Sequence, residues 1–334
     1  MSTKEKVYDI LKESGSNFIS GEEIANRIYV TRAAVWKAIK SLEKEDIKIE
    51  AITNKGYRLM ETEKIINKAV IFNEINTEYA EFEYLKDIHI EAFQTVGSTN
   101  DLAREYANNG EKEAVFIADC QTKGRGRKGR DFYSPTSTGL YMSFLLFPHT
   151  DFAHATNYTC MAAECICRAI KKVTGIDTKI KWVNDIYYND KKIAGILTEG
   201  IASLEDGRLS HVIIGAGINI YTPYDGFPDD IKKKAGALLA NNVDSEVRDR
   251  LAGAIIGEFY KSYKEPDKYP FFEGYKEKSM LVGNYVKILP YGDSKEKNDY
   301  ALVTGIDDEC RLLIKYEDGR TDALSSGEVS VVKY

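Results

Sequence analysis

No apolar run in the sequence approaches the ~18–20 residues that a membrane-spanning helix needs. Met1–Lys6 also lacks the apolar stretch that marks a secretory signal, so a cytoplasmic protein without a membrane partner is expected. Cysteine is scarce, with five in 334 residues, and an odd, sparse set does not make a disulfide framework. Cys165 and Cys167 are spaced too closely for the usual zinc pairs. They fall in a helix-like stretch from Met161 to Ile170 and read as core residues. Histidine is scarcer still: His89, His149, His154 and His211 show no ligand spacing and receive no role. The rest of the chain, 43% hydrophobic and 29% charged, is ordinary globular material, enough to give two or three domains their own cores.

The net charge of −6 argues against a general nucleic-acid coat, but its distribution is uneven. Residues 1–60 carry 11 Lys/Arg against 9 Asp/Glu, leaving −8 on the remainder, an asymmetry that fits a DNA-contacting head on an acidic body. Three short helical patterns open the chain. Ser2-x-x-Glu5 and Ser20-x-x-Glu23 are capping boxes, and Thr31 can cap a third helix with Val35, Ile39 and Leu42 turned inward. Only Tyr29-Val30 separates the second and third patterns, the tight connection of a helix-turn-helix. The third carries Arg32, Trp36, Lys37 and Lys40 with no acid from Thr31 to Leu42, residues suited to phosphates and base edges. Alternation over Ile47–Ala51, a turn at Asn54-Lys55-Gly56 and a return at Tyr57–Leu59 predict a hairpin wing. The stretch resembles the winged helices of bacterial regulators. A three-helix protein-interaction domain is the alternative.

After a buried strand predicted at Ala114–Ala118, Lys123–Arg130 holds five basic residues, three glycines and no acid. Gly124-x-Gly126-x-x-Gly129 matches the dinucleotide fingerprint, but that fingerprint opens a helix, and here Ser134-Pro135 and an apolar strand over Leu140–Phe147 follow. A P-loop needs Lys-Ser/Thr after its last glycine, where this chain has Arg130-Asp131. Glycines that let backbone N–H groups close on an anion, with bidentate arginines beside them, still point to phosphate or carboxylate. Gly126 is expected to need a positive φ. A solvated basic loop or an RNA contact is the alternative.

Ile180–Tyr188 is apolar enough for one buried strand, yet Asn184-Asp185 sits inside it, and buried polar groups are costly unless partnered. Asn189-Asp190 reads as a hairpin turn, with Lys192 at the mouth of the returning strand. A further strand, Val212–Ile220, contains Gly215, Gly217 and Asn219, and glycines within strands mark close approach.

Ser98-Thr99-Asn100, the Gly124–Arg130 loop, Lys181-Trp-Val-Asn-Asp185, Lys192-Ile-Ala-Gly195 and Gly215-Ala-Gly-Ile-Asn219 together resemble biotin protein ligase. With the winged helix in front, the match is to the bifunctional bacterial form that also represses the biotin operon. The resemblance covers essentially the whole chain; each motif alone is weak, and the ordered set is specific. Val183 stands where many members have proline, and Phe132 where many have tryptophan.

The resemblance implies an α+β protein. A winged helix-turn-helix would span 1–62, a mixed α/β ligase domain of class II synthetase type 63–281, and a small SH3-like β-barrel 282–334. Strands over 285–289, 300–303, 312–316 and 329–332 agree with the last, and residues 62–70 read as a short link. The resemblance further implies that biotin and ATP give biotinyl-5′-adenylate, whose acyl group passes to a lysine of a biotin carboxyl carrier domain. Lys192 and Arg127 would be catalytic. Ser98, Thr99, Asn100, Gln121, Arg125, Gly126, Arg127 and Lys192 would bind biotin. Arg127, Arg130, Phe132, Asn184, Asp185 and Asn219 would bind the nucleotide, with Asp185 near Mg²⁺. Arg32, Trp36, Lys37 and Lys40 would meet operator DNA in a ligand-promoted homodimer. Two bland readings stand beside these: Ser98–Asp101 as a helix cap for Leu102–Ala107, and Asp185 as a satisfied core carboxylate. A lipoate or octanoate ligase, and a ligand-sensing transcription factor without catalysis, are the rival functions.

Overall fold

The computed structural model describes residues 2–14, 17–43, 49–53, 55–59, 66–110, 112–148, 155–202, 209–240, 246–289, 299–325 and 328–331. They form two compact units, one built on residues 1–64 and the other on 65–239 and 246–334.

In the first unit α1 (Thr3–Glu13), α2 (Gly21–Ile28) and α3 (Arg32–Glu43) precede an antiparallel hairpin of β1 (Ile49–Ile52) and β2 (Gly56–Leu59). The first capping box closes in both directions, whereas in the second only the Ser20 half forms and the Glu23 carboxylate pairs with Arg27 at 2.7 Å. Ser2 Oγ accepts from the Glu5 N–H at 3.2 Å while the Glu5 carboxylate accepts from the Ser2 N–H at 2.7 Å, and Ser20 Oγ accepts from the Glu23 N–H at 3.0 Å. Val7, Leu11, Ile24, Val35 and Ile39 are fully buried where the helices meet, so the unit carries its own small core. Tyr29 ends α2 in the left-handed region and turns the chain into α3. Asn54 of the expected wing turn lies outside the described residues. Gly56 beside it has φ of 110°, against the Ile19 and Ser20 backbone, where a side chain would clash.

The second unit is built on a seven-stranded mixed sheet, in the order β3 (His89–Val96), β4 (Ala114–Gln121), β5 (Gly139–Leu146), β9 (Leu209–Asn219), β8 (Lys191–Ala202), β7 (Asp185–Tyr188), β6 (Lys179–Lys181). Only β3 and β4 run parallel. Alternation along β4 explains the layering. Val115 and Ile117 join the large core with α4 (Lys68–Glu78), α6 (Ala155–Thr174) and α7 (Val247–Lys264), whereas Ala114 and Phe116 face α5 (Thr99–Ala107) with Leu145 and Ile213. Cys165 and Cys167 are buried within α6.

α8 (Phe272–Glu277) leads to a five-stranded antiparallel sheet, ordered β13 (Thr321–Leu324), β12 (Leu312–Tyr316), β11 (Asp299–Ile306), β10 (Tyr285–Leu289), β14 (Glu328–Val331). β13 was not anticipated; it pairs antiparallel with β12.

Two expectations are corrected. Residues 180–188 are not one strand but a tight hairpin, with Lys179 opposite Tyr187 and Lys181 opposite Asp185. The reversal at Trp182-Val183-Asn184 lacks the glycine or proline that would have marked it in the sequence. The supposed link over 62–70 ends early, because Asn67 caps α4 through the Ala69 N–H at 3.0 Å and the helix has begun by Lys68.

Candidate active site and DNA-facing helix

The ligase-type site lies on the α5 face of the large sheet. Three glycines there, Gly195 on β8 and Gly215 and Gly217 on β9, remove side chains from adjoining positions, with Gly195 paired to Gly217 and Gly215 to Leu197. Other groups occupy the space. A Cβ at Gly215 would fall into the Asn100 amide, one at Gly217 into the Phe132 ring, and one at Gly195 would lie 3.0 Å from Lys192 Nζ. The close approach expected of these glycines is therefore made by the site's own side chains.

All thirteen residues singled out for biotin and nucleotide line one cavity of ≈ 990 Å³. At one end, Ser98, Thr99 and Asn100 are buried at the start of α5. Ser98 occupies the N-cap position, yet its side chain makes no capping bond, so the cap reading of this stretch is not realised. Gln121, the last residue of β4, accepts from the Thr99 N–H at 3.0 Å and donates to Ser134 Oγ at 3.1 Å. The Ser143 hydroxyl lies 2.7 Å from Thr99 Oγ1 and 2.6 Å from Asn100 Oδ1.

The other end is cationic. Lys192 Nζ pairs with Asp185 at 2.7 Å, and Arg127 donates to Asn184 Oδ1 at 2.9 Å. Asn184 also donates to the Ile196 carbonyl at 2.9 Å. Asn184 and Asp185 are half-buried rather than buried; the amide is hydrogen-bonded at both ends, and the carboxylate is held by its ion pair with Lys192. The Trp182–Asn184 turn that carries the pair is pinned from behind: Trp182 Nε1 donates to the Cys310 carbonyl at 2.8 Å and the Tyr275 hydroxyl to the Val183 carbonyl at 3.0 Å. Asn219 Nδ2 donates to the Gly236 carbonyl at 2.9 Å, and Phe132 meets Tyr141 edge-on at 6.4 Å. Tyr187, which also lines the cavity, has its phenol pushed up to about 12 by burial and then by the Asp185 carboxylate, so it keeps its proton at neutral pH. Among the described residues no group of three or more His, Cys, Asp or Glu side chains is assembled around a point.

The arginine loop runs strand–loop–strand, with one 3₁₀ turn at Arg127–Gly129. Gly126 is extended, at φ −115° and ψ −176°, so the expected positive φ is corrected. The left-handed residues are Lys128 and Gly129, at 57° and 69°. Gly126 is constrained instead by its N–H, which donates to the Arg130 carbonyl at 2.7 Å. Arg130 lines the cavity. Arg125, expected to clamp a ligand carboxylate, has its guanidinium 2.7 Å from Asp101 and 3.2 Å from Glu199.

Glu199, Asp101, Arg104 and Ser143 were not singled out from the sequence. Glu199 and Ser143 did carry a signal, each being a polar residue within an apolar strand, where it must find a partner.

In the first unit Arg32, Trp36, Lys37 and Lys40 all lie on the exposed side of α3, and Trp36 is 52% exposed. Lys40 pairs with Glu43 at 2.6 Å.

The chain matches the Biotin/lipoate A/B protein ligase family over residues 92–219, an HTH domain over 3–58 and the Biotin protein ligase C terminal domain over 295–332. It is 33% identical over 323 residues to the Bifunctional ligase/repressor BirA of Bacillus spizizenii, covering 95% of each chain. It is 32% identical, at the same coverage, to the Bifunctional ligase/repressor BirA of Bacillus subtilis. A structure of Biotin protein ligase from Aquifex aeolicus in complex with biotin and ATP superposes with a TM-score of 0.58 at 28% identity, over 74% of this chain and 99% of that one.

Proposed function

We infer the function from a premise: this chain belongs to the family of the bifunctional ligase/repressor BirA. It is a biotin protein ligase with a DNA-binding head, and it joins biotin to a biotin carboxyl carrier domain at the expense of ATP. The observation that carries the site assignment is the single cavity with a polar, hydrogen-bonding end and a cationic end. Biotin offers the matching pair, a neutral ureido ring and a carboxylate.

In the first step a biotin carboxylate oxygen attacks the α-phosphorus. An O–P bond forms, the bond to the β-phosphate oxygen breaks, and pyrophosphate leaves. In the second, a lysine amine of the carrier attacks the acyl carbon and AMP leaves. Ser98, Thr99 and Gln121 meet the ureido ring, with Asn100 in its wall. Lys192 and Arg127 take the charge that gathers on the carboxylate and phosphate oxygens, from positions already held by Asp185 and Asn184. Arg130, Phe132, Asn184, Asp185 and Asn219 hold the nucleotide. Asp185 would hold Mg²⁺ arriving with ATP, and the ion would supply neutralising charge to the phosphates. Such an ion takes one or two protein carboxylates and fills its shell with phosphate and water, a donor set that Asp185 fits.

We place the protein in the cytoplasm, in three domains over 1–62, 63–281 and 282–334. The adenylate-bound form pairs as a homodimer, whose two α3 helices read two operator half-sites. Mass spectrometry of a biotin carboxyl carrier domain, incubated with the protein, MgATP and either biotin or lipoate, tests the reaction. The expected result is one biotinyl group on the acceptor lysine, with pyrophosphate released. A lipoyl product alone would move the chain to the sister activity, and no product with either acid would leave it a sensor.

A further inference from the structure

Glu199 lies on β8, four positions beyond Gly195 and on the same α5-facing side of the sheet. One of its carboxylate oxygens accepts from Asn100 Nδ2 at 2.7 Å and Arg125 Nη2 at 3.2 Å, and the other from Arg104 Nη2 at 2.9 Å. Asp101 closes the figure, 2.8 Å from Arg104 Nη1 and 2.7 Å from Arg125 Nη2. Four charges thus alternate around a ring of zero net charge. The ring joins α5 through Asp101 and Arg104, β8 through Glu199, and the arginine loop through Arg125. Glu199 is its inner acid, with a side chain 23% exposed against 50% for Asp101.

We propose that Glu199 is a positioning residue for the biotin pocket, fixing the Asn100 amide and tethering the arginine loop through Arg125. The first half follows from donor and acceptor rules. A carboxylate only accepts, so the amide group facing Glu199 is the NH₂. Oδ1 must then face the Ser143 hydroxyl, 2.6 Å away, and the glycine at 215 leaves room for it. With both ends of its amide engaged, Asn100 shapes the wall of the pocket, and a freely turning amide would present the wrong group as often as the right one. The second half follows from the two carboxylates on Arg125. Its guanidinium belongs to the ring, so the loop is anchored two residues before Arg127, whose own guanidinium reaches Asn184. An isolated surface ion pair contributes little, but a network that also satisfies a buried amide is a different case.

The proposal rests on the biotin-ligase reading, and two readouts keep the two apart. Biotin-dependent pyrophosphate release is measured on the full-length chain and on Glu199→Ala and Glu199→Gln. In Glu199→Ala the KM for biotin is expected to rise at least tenfold, with KM for ATP within twofold and kcat at saturating biotin within threefold. Glu199→Gln, which keeps an acceptor for Asn100, recovers part of the loss. Amide hydrogen exchange over residues 124–130, without any ligand, is expected to speed up at least threefold in Glu199→Ala. An unchanged biotin KM with unchanged exchange overturns the proposal, as does an equal rise in both KM values. If Glu199→Ala does not fold, Asp101→Ala carries the test: it removes one arm on Arg125 at an exposed position, and faster loop exchange is expected from it, unchanged exchange overturning the tether. If the unaltered protein releases no pyrophosphate with biotin, the ligase reading fails, while the ligand-free exchange still decides the role of Glu199.

Discussion

In the three-helix unit Arg32, Trp36 and Lys37 stand on an exposed helix face above a small core. In the ligase unit Lys192, Arg127 and Asn184 are each held by another side chain before any ligand arrives. The contrast follows from what each unit recognises. A duplex backbone is a long repeating array of charge, and a cation gains by releasing counterions wherever it lands, so loosely held lysines and arginines serve well. A reacting phosphorus is a point, and a cation misplaced by an ångström loses most of its effect on the barrier. Exposure suits the first task and mutual restraint the second.

The sharpest way to break this comparison is Lys192→Ala. Loss of a fixed charge on developing negative charge costs about 10²–10³ in rate. Single-turnover adenylate synthesis should fall by that factor while operator binding by the adenylate-loaded protein persists. Turnover like that of the unaltered protein would remove Lys192 from the chemistry. Next in size is Arg32→Ala combined with Lys37→Ala. Each lost phosphate contact takes about 0.9 from the slope of log K against log salt, so a slope lower by about two is expected. Biotin transfer should be unchanged. Titrations at several salt concentrations measure it, and an unchanged slope would mean that α3 faces something other than phosphate.

The smallest effect sharpens the contrast from the side of the fold. His211 on β9 is buried against Phe147, and burial, then the nearby Arg104 charge, lowers its pKa below the usual histidine value. The folded state therefore favours neutral imidazole. Its contribution to stability is whole above about pH 6.5 and is lost as pH falls below that value, because the unfolded chain takes up the proton first. His211→Gln should narrow the drop in Tm between pH 7.5 and 5.5 by about 2 °C, measured by calorimetry. A wider drop would reverse the sign and place a carboxylate partner at His211.

The first unit was the more legible. Its helices are local, and its capping residues and 3.6-residue periodicity fall within a few residues of each other, so the sequence names where each helix begins. The Trp182 reversal was not legible, because what holds it lies elsewhere in the chain: the Ile196 carbonyl, the Tyr275 hydroxyl and the Cys310 carbonyl. The ligand-facing residues could be found through ordered motifs, since each is tied to a local pattern of glycine and charge. Their supports were less legible: Glu199 is marked only as a polar residue within an apolar strand, and its partners Asp101 and Arg104 acquire meaning only when α5, β8 and the loop meet. Gly126 shows the limit within a motif, where the pattern marks a close backbone contact without saying which glycine turns left-handed.

The bond from Trp182 to the Cys310 carbonyl spans 128 residues. On the ribosome, the turn that carries Asn184 and Asp185 is made long before the residue that secures it. The described core of the winged helix draws only on residues from Val7 to Tyr57, so a nascent chain can complete that core well before the nucleotide end of its cavity can close. During synthesis the reader of DNA exists for a time without a finished catalyst, and the last strands to emerge are those that complete it.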